Sequence, residues 1–295
     1  YALLHYDKFM LSAMKEIKRR RGSIQSTRQI TKAMQLVSTV KLQKTRARAE
    51  EGKPYFSLVY ETMFSILSKS GNVDHRFLRS ASQGKKAVIV ISSNRGLAGG
   101  YNNSIAKLVE TSFSKEEALI YAIGKKAKDT LERRGYEIAG EYNEVITDPM
   151  YQDAVDITKK LLSDYEAGKI AEIYVVYTHF KNTVVHVPTL KKLLPVRIDE
   201  QEEEEVETKT NLLMNYAPNE EEVLEAIVPK YITAIIYGSL QQAIASENGA
   251  RMSAMENATN NADELIDKLL LKYNRARQGA ITQELTEIVA GANAI

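Results

Sequence analysis

Two long stretches of helix-forming residues, one at each end of the chain, dominate the hydrophobic pattern. From Lys15 to about Ser70, strong helix formers continue without Gly-Pro punctuation until GKP at 52–54. Apolar residues fall on one face of this helix at coiled-coil spacing, interrupted by Lys44: Ile30, Ala33, Val37, Val40 and Ala47. We expect Pro54 to kink the helix or break it locally.

The C-terminal stretch predicts a second long helix, from near Asn219 to about Ala290, with Pro229 and Gly249 as its weak points. Its residues at three- and four-residue spacing predict a coiled-coil seam: Met255, Ala258, Ala262, Leu265, Leu269, Tyr273, Ala276 and Ala280. At 1.5 Å per residue the two helices would reach about 80 Å and about 100 Å, more than a compact domain of this size contains. We therefore expect them to pair with each other, antiparallel, as a shaft.

The middle of the chain alternates between strand and helix patterns. Four segments are typical of strands: AVIVIS (87–92), EALIYAIG (117–124), IAEIYVVYTHF (170–180) and TVVHVPTLKKLLPV (183–196). One helix is expected after the strand 117–124, ending at about Arg134, and another over 151–167. Lys181-Asn182 is expected to join the last two strands as a hairpin. This order favours a mainly parallel sheet with an antiparallel edge, as in a small Rossmann-like domain.

These elements predict an α/β fold: a long antiparallel coiled coil of the N- and C-terminal helices plus a central Rossmann-like α/β domain. The expected divisions are an extension of unknown role (1–13), an N-terminal shaft helix (14–70), a linker (71–86), the α/β domain (87–198), an acidic linker (199–218) and a C-terminal shaft helix (219–295).

Composition narrows the class of protein without naming a function. The net charge is +2, but residues 14–53 hold twelve Lys or Arg against three acids, and residues 199–207 hold seven acids. Zero Cys excludes disulfides and thiolate chemistry. From the sequence we expect neither a secretory signal nor a membrane-spanning helix, since uncharged apolar stretches fall short of the roughly 20 residues required.

The segment NRGLAGGYN (94–102) follows a strand and precedes a helix, which makes it a candidate phosphate-binding loop. Gly96, Gly99 and Gly100 match neither the dinucleotide fingerprint nor the P-loop, and a tight turn is favoured. A Rossmann-type nucleotide-binding enzyme with a coiled-coil extension stays open as the alternative.

Other candidate chemistry is weak. His179 and His186 could face each other across the hairpin, but two histidines without a further ligand make a poor metal site. Ser92-Ser93 lacks the nucleophile-elbow pattern. The basic segments 15–21 and 41–48 could bind phosphates, yet no aromatic residues are interleaved for base stacking, and a charged helix face is favoured. No catalytic constellation emerges.

The last residues of the chain are unusually apolar for a terminus. Residues 287–295 carry one charge, Glu287, among Ile, Val and Ala. Chain ends normally carry polar residues that suit water. The pattern therefore indicates that something shelters this end.

Five ordered motifs resemble one family, the gamma subunits that form the central rotor shaft of F-type ATP synthases. They are IKRRRGSIQSTRQITKAMQLVSTVKL near the start, SNRGLAGGYN, VPTLKKLLP, SENGARMSAMENAT, and RARQGAITQELTEIVAGANA at the end. The resemblance covers about Met14 to Ala294. Residues 1–13 inherit no role from it, the Cys-bearing regulatory insert of chloroplast members is absent, and a bacterial complex is favoured.

The resemblance implies a subunit with no active site and no cofactor, which turns inside a ring of three alpha and three beta subunits. Contacts with that ring are implied for Lys32, Met34, Arg277, Gln278, Thr282 and Glu287. A low-friction bearing tip is implied for Ile288, Val289, Ala292, Ala294 and Ile295.

At the other end, the α/β domain is expected to form a foot on the membrane c-ring and the epsilon subunit. Candidate foot contacts are Lys191, Lys192, Arg197 and Tyr216. The resemblance places the complex at the cytoplasmic face of a bacterial plasma membrane, with this chain held there peripherally and without nucleic acid.

Overall fold

The computed structural model describes residues 2–69, 75–79, 84–196 and 220–292. The chain forms two compact units: residues 1–37 with 252–295, called the two-helix unit below, and residues 38–251, called the α/β unit. Some predictions fall outside the described residues: the acidic segment 199–207, Arg197, Tyr216, Ala294 and Ile295.

The α/β unit contains a five-stranded sheet. Its strands are β1 Lys85–Ile91, β2 Ala118–Ile123, β3 Glu137–Glu141, β4 Ile170–Phe180 and β5 His186–Leu194, in the order β3-β2-β1-β4-β5. Strands β1 to β4 pair in parallel and β5 pairs antiparallel with β4. The predicted Rossmann-like sheet with an antiparallel edge is confirmed.

Strand β3 was not predicted from the sequence. Its five residues, EIAGE, include two glutamates and a glycine, which are depleted in strands. Only Ile138 packs as a partly buried apolar side chain against the core. The strand forms because it lies at the sheet edge, where one neighbour, β2, supplies its hydrogen bonds.

The helices in the described residues are α1 Ala2–Lys69, α2 Tyr101–Ser112, α3 Lys125–Arg133, α4 Tyr151–Glu166 and α5 Glu220–Ala292. Helix α1 begins before Lys15, since residues 2–14 contain neither Gly nor Pro. The break predicted at Pro54 is not observed. Packing holds the chain beyond the proline: the hydroxyls of Tyr55 and Tyr151 are 3.2 Å apart, and the Phe56 ring lies 6.0 Å from that of Tyr237.

Helices cover both faces of the sheet. One face packs against the C-terminal part of α1, against α4 and against the N-terminal part of α5. The other face packs against α2 and α3. Strand β1 is central, and its residues from Ala87 to Ile91 are completely buried. This three-layer core accounts for the near-continuous apolar strand patterns.

Among the described residues, one helix, α5, is long and apolar enough to cross a membrane. A window of 18 residues within it has a mean hydropathy of 1.3, and 50% of that window is buried within the protein. Core helices of soluble proteins pass the same test. Here α5 packs in the α/β unit, where the Ser246 hydroxyl donates to the Thr178 carbonyl (3.0 Å) and the Tyr101 hydroxyl donates to the Ala243 carbonyl (3.1 Å).

In the two-helix unit, α1 and α5 run antiparallel. Arg28 pairs with Asp263, and the hydroxyls of Thr31 and Thr259 are 2.8 Å apart. Residue numbers rise on one helix as they fall on the other, which confirms the antiparallel pairing.

The register of the seam differs from the predicted one on both helices. On α1 every residue of the predicted stripe is exposed: Ile30, Ala33, Val37, Val40 and Ala47. Between residues 30 and 47 the buried positions are Thr31 in the two-helix unit and Ser38, Leu42 and Thr45 in the α/β unit. Most residues on this inward face are small and polar. A prediction from regularly spaced apolar residues therefore places the outward face in the seam.

On α5 the predicted seam is correct at some positions and wrong at one. Met255 and Ala262 are buried, and Ala258, Leu269 and Ala276 are half-buried. Leu265 is 47% exposed, so its placement in the seam was wrong. The buried Thr259 occupies the seam position between Met255 and Ala262. The apolar pattern missed this position because threonine is not an apolar residue.

Gly249 allows α5 to approach strand β5 closely. A Cβ added there would lie 2.7 Å from Nε2 of His186 and 3.4 Å from Cε2 of Phe180. We expect Gly249→Ala to lower the free energy of unfolding by about 1–3 kcal/mol in urea titrations. Gly238→Ala, whose Cβ meets no atom within 4 Å, is the control and should stabilise the helix by about 0.5–1 kcal/mol. Equal stability of the two variants would contradict this packing.

His186 predicts a pH dependence of stability. Burial lowers the pKa of its imidazole, since charging the ring is unfavourable in this site. Below the ordinary value of about 6.5 the unfolded chain therefore binds more protons than the folded one, and stability is lost as the pH falls. Between about pH 7.5 and about pH 5.5 the wild type should lose more unfolding free energy than His186→Gln. If the unfolding free energies of the wild type and of His186→Gln changed equally with pH, this role for His186 would be excluded.

Candidate functional site

The most unusual surface in the described residues is the outside of the two-helix unit. Ten large apolar side chains there are at least 40% exposed: Ile30, Leu36, Val37, Leu265, Leu270, Leu271, Ile281, Leu285, Ile288 and Val289. Single exposed leucines are ordinary, but an array of this size on a slender pair of helices marks an interaction surface.

The inside of the same unit is thinly packed. Within residues 12–37 and 252–292, the buried side chains are Thr31, Met255, Thr259 and Ala262. Three of these four are small, and two are threonines that bond to each other. The pair of helices therefore leaves ten large apolar side chains exposed and fully buries one, Met255.

The turn after β1 is held in place by α5. Arg251 donates from Nη2 to the carbonyls of Arg95 (3.4 Å) and Gly96 (3.3 Å), and its Nη1 lies 2.7 Å from Oε1 of Glu247. Burial raises the pKa of the Glu247 carboxyl, while Arg251 acts in the opposite direction. Sequence reasoning missed this contact, because nothing local links residues separated by more than 150 positions.

The polar groups of this turn are used within the protein. Asn94 Oδ1 accepts from the backbone N–H of Lys125 (2.9 Å), and Ser92 Oγ accepts from the N–H of Ala127 (2.8 Å) at the start of α3. Asn102 Oδ1 accepts from the N–H of Ser93 (3.1 Å). The segment is the tight strand-to-helix turn that the sequence favours, and its Asn94 and Asn102 side chains are bonded within the protein.

The two histidines of the hairpin do not face each other. His179 pairs in register with Val187, and His186 pairs with Phe180. Neighbouring strand residues point to opposite faces of a sheet, so the predicted juxtaposition was wrong. In the described part of the chain, no group of three or more His, Cys, Asp or Glu side chains is arranged to hold a metal ion.

Comparison with known proteins decides the family. A sequence model of the ATP synthase family matches residues 13–295. The ATP synthase gamma chain of Lachnoclostridium phytofermentans is 58% identical over 290 residues, which cover 97% of this chain and 100% of that protein. This chain belongs to the ATP synthase gamma chain family.

A second gamma chain agrees with this assignment, and a solved structure shares the fold. The sodium ion specific gamma chain of Acetobacterium woodii is 40% identical, with 97% of this chain and 100% of that protein covered. A rotational state of the Euglena gracilis mitochondrial ATP synthase contains a chain with a TM-score of 0.66 at 18% identity, covering 96% of this chain and 94% of that one. At that identity the likeness shows the shared fold alone.

The gamma-chain resemblance assigned ring contacts to residues that lie on the surface of the two-helix unit. Lys32 is exposed and donates to Oε1 of Gln35 (3.0 Å), and Met34 is half-buried. Arg277, Gln278 and Thr282 are exposed, whereas Glu287 is half-buried and accepts from Nε2 of Gln283 (2.9 Å). Their contact roles remain predictions.

The bearing-tip residues that the structure describes are exposed. Ile288 is 62% and Val289 58% exposed, and Ala292 at the end of α5 is exposed as well. With Ile281 and Leu285 they continue the outward apolar surface to the end of the helix. The structure thus presents the apolar end to the surroundings of this chain.

The two foot candidates in the described residues differ in how they are held. Lys192 Nζ lies 2.6 Å from Oε1 of Glu172, and the ion pair helps to hold the pKa of that carboxyl below its usual value against the effect of burial. Lys191 Nζ lies 5.5 Å from the centroid of the Tyr60 ring. Both lysines therefore have structural partners within the α/β unit.

Proposed function

We propose that this chain is the central-stalk rotor of a bacterial F-type ATP synthase. It couples rotation of the membrane c-ring to ATP synthesis or hydrolysis in the alpha and beta subunits. The observation that carries this proposal is the outward direction of the large apolar side chains in the two-helix unit. A helix pair that exposes Ile30, Val37, Leu285 and Ile288 in water gains stability when other chains surround it.

Apolar contacts suit a surface that turns. Charge-assisted hydrogen bonds are directional and contribute roughly 1.5–3 kcal/mol each, so a ring of them would hold the end of α5 at one angle. Apolar burial is nearly non-directional. Ile288, Val289 and Ala292, continued by Ala294 and Ile295, therefore form a bearing with low rotational friction.

Torque needs the opposite kind of contact, one that changes with angle. Arg277, Gln278 and Thr282 lie exposed below the apolar end of α5 and offer directional hydrogen bonds to a surrounding beta subunit. Glu287 lies closer to the tip. Lys32 and Met34 lie on α1 near the level of Thr259 and are proposed as a separate contact, further from the tip. We assign angle-dependent contacts to these six residues.

The α/β unit forms the foot that receives rotation from the c-ring and the epsilon subunit. Lys191, Lys192, Arg197 and Tyr216 are the proposed contacts. Lys192 already pairs with Glu172, so its first role is to brace strand β5 against β4. The chain is peripheral and reaches the cytoplasmic face of the membrane through the complex, while nucleotide chemistry occurs in beta and ion binding in the membrane sector.

A Rossmann-type nucleotide-binding enzyme is the alternative, based on the sheet order and the glycine-rich turn. In that turn the side chains of Asn94 and Asn102 bond within the protein, and Arg251 donates to the carbonyls of Arg95 and Gly96. Titrating the full chain with NAD or ATP separates the two functions. The rotor assignment predicts no saturable binding of either nucleotide.

Co-expression with alpha and beta subunits of a close relative tests the proposed function. We expect an assembly of three alpha, three beta and one copy of this chain, with ATPase activity that the alpha and beta pair alone lacks. Recovery of an active alpha-beta ring that excludes this chain would refute the assignment.

A further inference from the structure

A groove of about 550 Å³ lies on the α/β unit, between α1, α4 and α5. Its lining residues fall between positions 55 and 233, so the groove belongs to one compact unit. The volume falls in the range of sites that bind small organic molecules. Rotation of a shaft does not require such a groove, so ligand binding there is a property beyond the proposed function.

The wall of the groove is mainly apolar and open to solvent. Leu58 is 61%, Tyr55 45% and Tyr151 36% exposed, and all three line the groove. The wall also contains Val59, Val155, Leu162, Ile227 and Pro229. A hydrocarbon chain that lies on this wall removes apolar surface from water, which is favourable.

The hydroxyl groups at the apolar end of the groove are bonded within the protein. The Tyr55 and Tyr151 hydroxyls lie 3.2 Å apart, and Thr62 Oγ1 donates to the Leu58 carbonyl (2.7 Å). These groups already have the partners that polar atoms normally require. A guest at this end can therefore be apolar.

The charged residues that line the groove are both cationic. Among the described residues they are Lys159 on α4 and Lys230 on α5, and both side chains are exposed. Neither lysine side chain forms an ion pair or a hydrogen bond with another described residue. An anionic group at this position would meet positive charge that is not already neutralised by a direct contact.

Contacts between α4 and α5 show how the two helices run. Thr233 Oγ1 donates to Thr158 Oγ1 (3.0 Å), and the ring centroids of Tyr151 and Tyr237 are 5.6 Å apart. Residue numbers rise on α4 as they fall on α5, so the helices are antiparallel.

This pairing brings the two lysines to the same end of the groove. Lys159 follows Thr158 directly, and Lys230 precedes Thr233 by about one turn, so the lysines lie within about one turn of each other along the pair. Tyr151 precedes Lys159 by about two turns of α4, or about 12 Å. The groove therefore has a cationic end and an apolar, aromatic end.

We propose that this groove binds a straight-chain carboxylate of the fatty-acid class. The carboxylate lies at the end with Lys159 and Lys230, and both ammonium groups attract it whether it touches one or both. The alkyl chain extends along the apolar wall toward Tyr55 and Tyr151. One ligand thereby covers exposed apolar surface and places its charge beside unpaired cations.

Three probes added to the full chain separate the role of charge from that of the chain: decanoate, decyltrimethylammonium and acetate. Decyltrimethylammonium keeps the alkyl chain and reverses the charge, whereas acetate keeps the carboxylate and lacks the chain. Isothermal titration at probe concentrations without micelles should show that decanoate binds at least about tenfold more tightly than either of the others. Equal binding of decanoate and either other probe would overturn the proposal.

Substitution of the lysines tests the cationic end. Lys159→Gln/Lys230→Gln should weaken decanoate binding at least about tenfold, whereas Lys107→Gln, at an exposed lysine on α2, should leave it unchanged. Undiminished binding to the double variant would refute the site. Tighter binding of hexaglutamate than of decanoate to the wild type would show that the lysines recognise acidic peptides, which would also overturn the proposal.

Two equally exposed leucines give a matched test of the apolar wall. Leu58 is 61% exposed in the groove, and Leu271 is 59% exposed in the two-helix unit. Leu58→Asp should weaken decanoate binding at least about tenfold, and Leu271→Asp should leave it unchanged. Circular dichroism verifies folding, and the lysine variants decide the matter if Leu58→Asp fails to fold. Undiminished binding to a folded Leu58→Asp protein would place decanoate elsewhere and refute the site.

The rotor assembly and this groove are tested independently. Loss of decanoate binding in Lys159→Gln/Lys230→Gln with intact assembly and ATPase activity is the expected combination. Failure of the wild-type chain to assemble with alpha and beta subunits would sink the proposed function without touching the groove.

Discussion

The double substitution Ile288→Asp/Val289→Asp is expected to be silent in the free chain and severe in the assembly. Both side chains are largely exposed in the free chain, so its unfolding free energy should change by no more than about 0.5 kcal/mol. Inside a ring of alpha and beta subunits the same aspartates would be buried without partners, at a cost of several kcal/mol. ATPase activity that depends on this chain should fall at least tenfold.

Two controls separate charge from loss of contact. Val184→Asp places a charge on a valine that is 80% exposed in the α/β unit and should leave ATPase activity unchanged. Deleting residues 291–295 removes apolar contact without adding charge and should weaken assembly or torque only modestly. A doubly charged end that rotates as well as the native one would refute the bearing.

Met255→Asp is expected to open the two-helix unit, while Leu265→Asp is expected to leave it closed. Met255 is 5% exposed, and a buried unpaired carboxylate there should cost about 3–5 kcal/mol. Leu265 is 47% exposed, and its substitution should cost no more than about 0.5 kcal/mol. Hydrogen exchange over residues 252–275 measures the difference, with amides at least a hundredfold less protected in Met255→Asp.

Met255→Leu is the control for size, since it keeps the volume and the apolar character of the side chain. Its exchange should stay close to wild type. Equal loss of protection in Met255→Asp and Leu265→Asp would contradict the register seen in the structure. It would instead support the register predicted from the sequence, in which Leu265 lies in the seam.

The sheet was largely predictable because its strands carry strong local signals. Strands β1, β2 and β4 are continuous apolar runs separated by helices, which is typical of a buried parallel sheet. Strand β3 carries no such signal, since it is an edge strand stabilised mainly by pairing with β2. The apolar C-terminal segment was recognised because it conflicts with the usual composition of chain ends.

The register of the helix pair was not predictable from apolar spacing. Thr31 and Thr259 occupy inward positions where the heptad pattern expects large apolar residues, and Arg28 pairs with Asp263 beside them. A stripe that includes Ile30 and Val37 is then the most regular apolar pattern on α1, although it faces outward. Apolar spacing predicted the wrong face because large apolar side chains point outward. Those outward side chains are also the feature that supports a shaft enclosed by other chains.

Long-range contacts in the α/β unit were beyond sequence reasoning for another reason. Arg251 holds the turn at Arg95 and Gly96, and the groove near Lys230 is walled by residues from both long helices. Contacts of this kind depend on how distant segments meet, which no local pattern specifies.

Labelling of single cysteines tests the central claim most directly, because the chain contains none of its own. Cysteine would replace Ile30, Val37, Leu285 or Ile288 on the outward face, with Val184→Cys as the control in the α/β unit. We predict that maleimide modifies all five variants rapidly in the free chain. In the assembly with alpha and beta subunits, the four outward-face cysteines should react at least tenfold more slowly, and Val184→Cys at an unchanged rate. Unaltered labelling of the four in an assembled, active complex would contradict the claim that other chains cover this face.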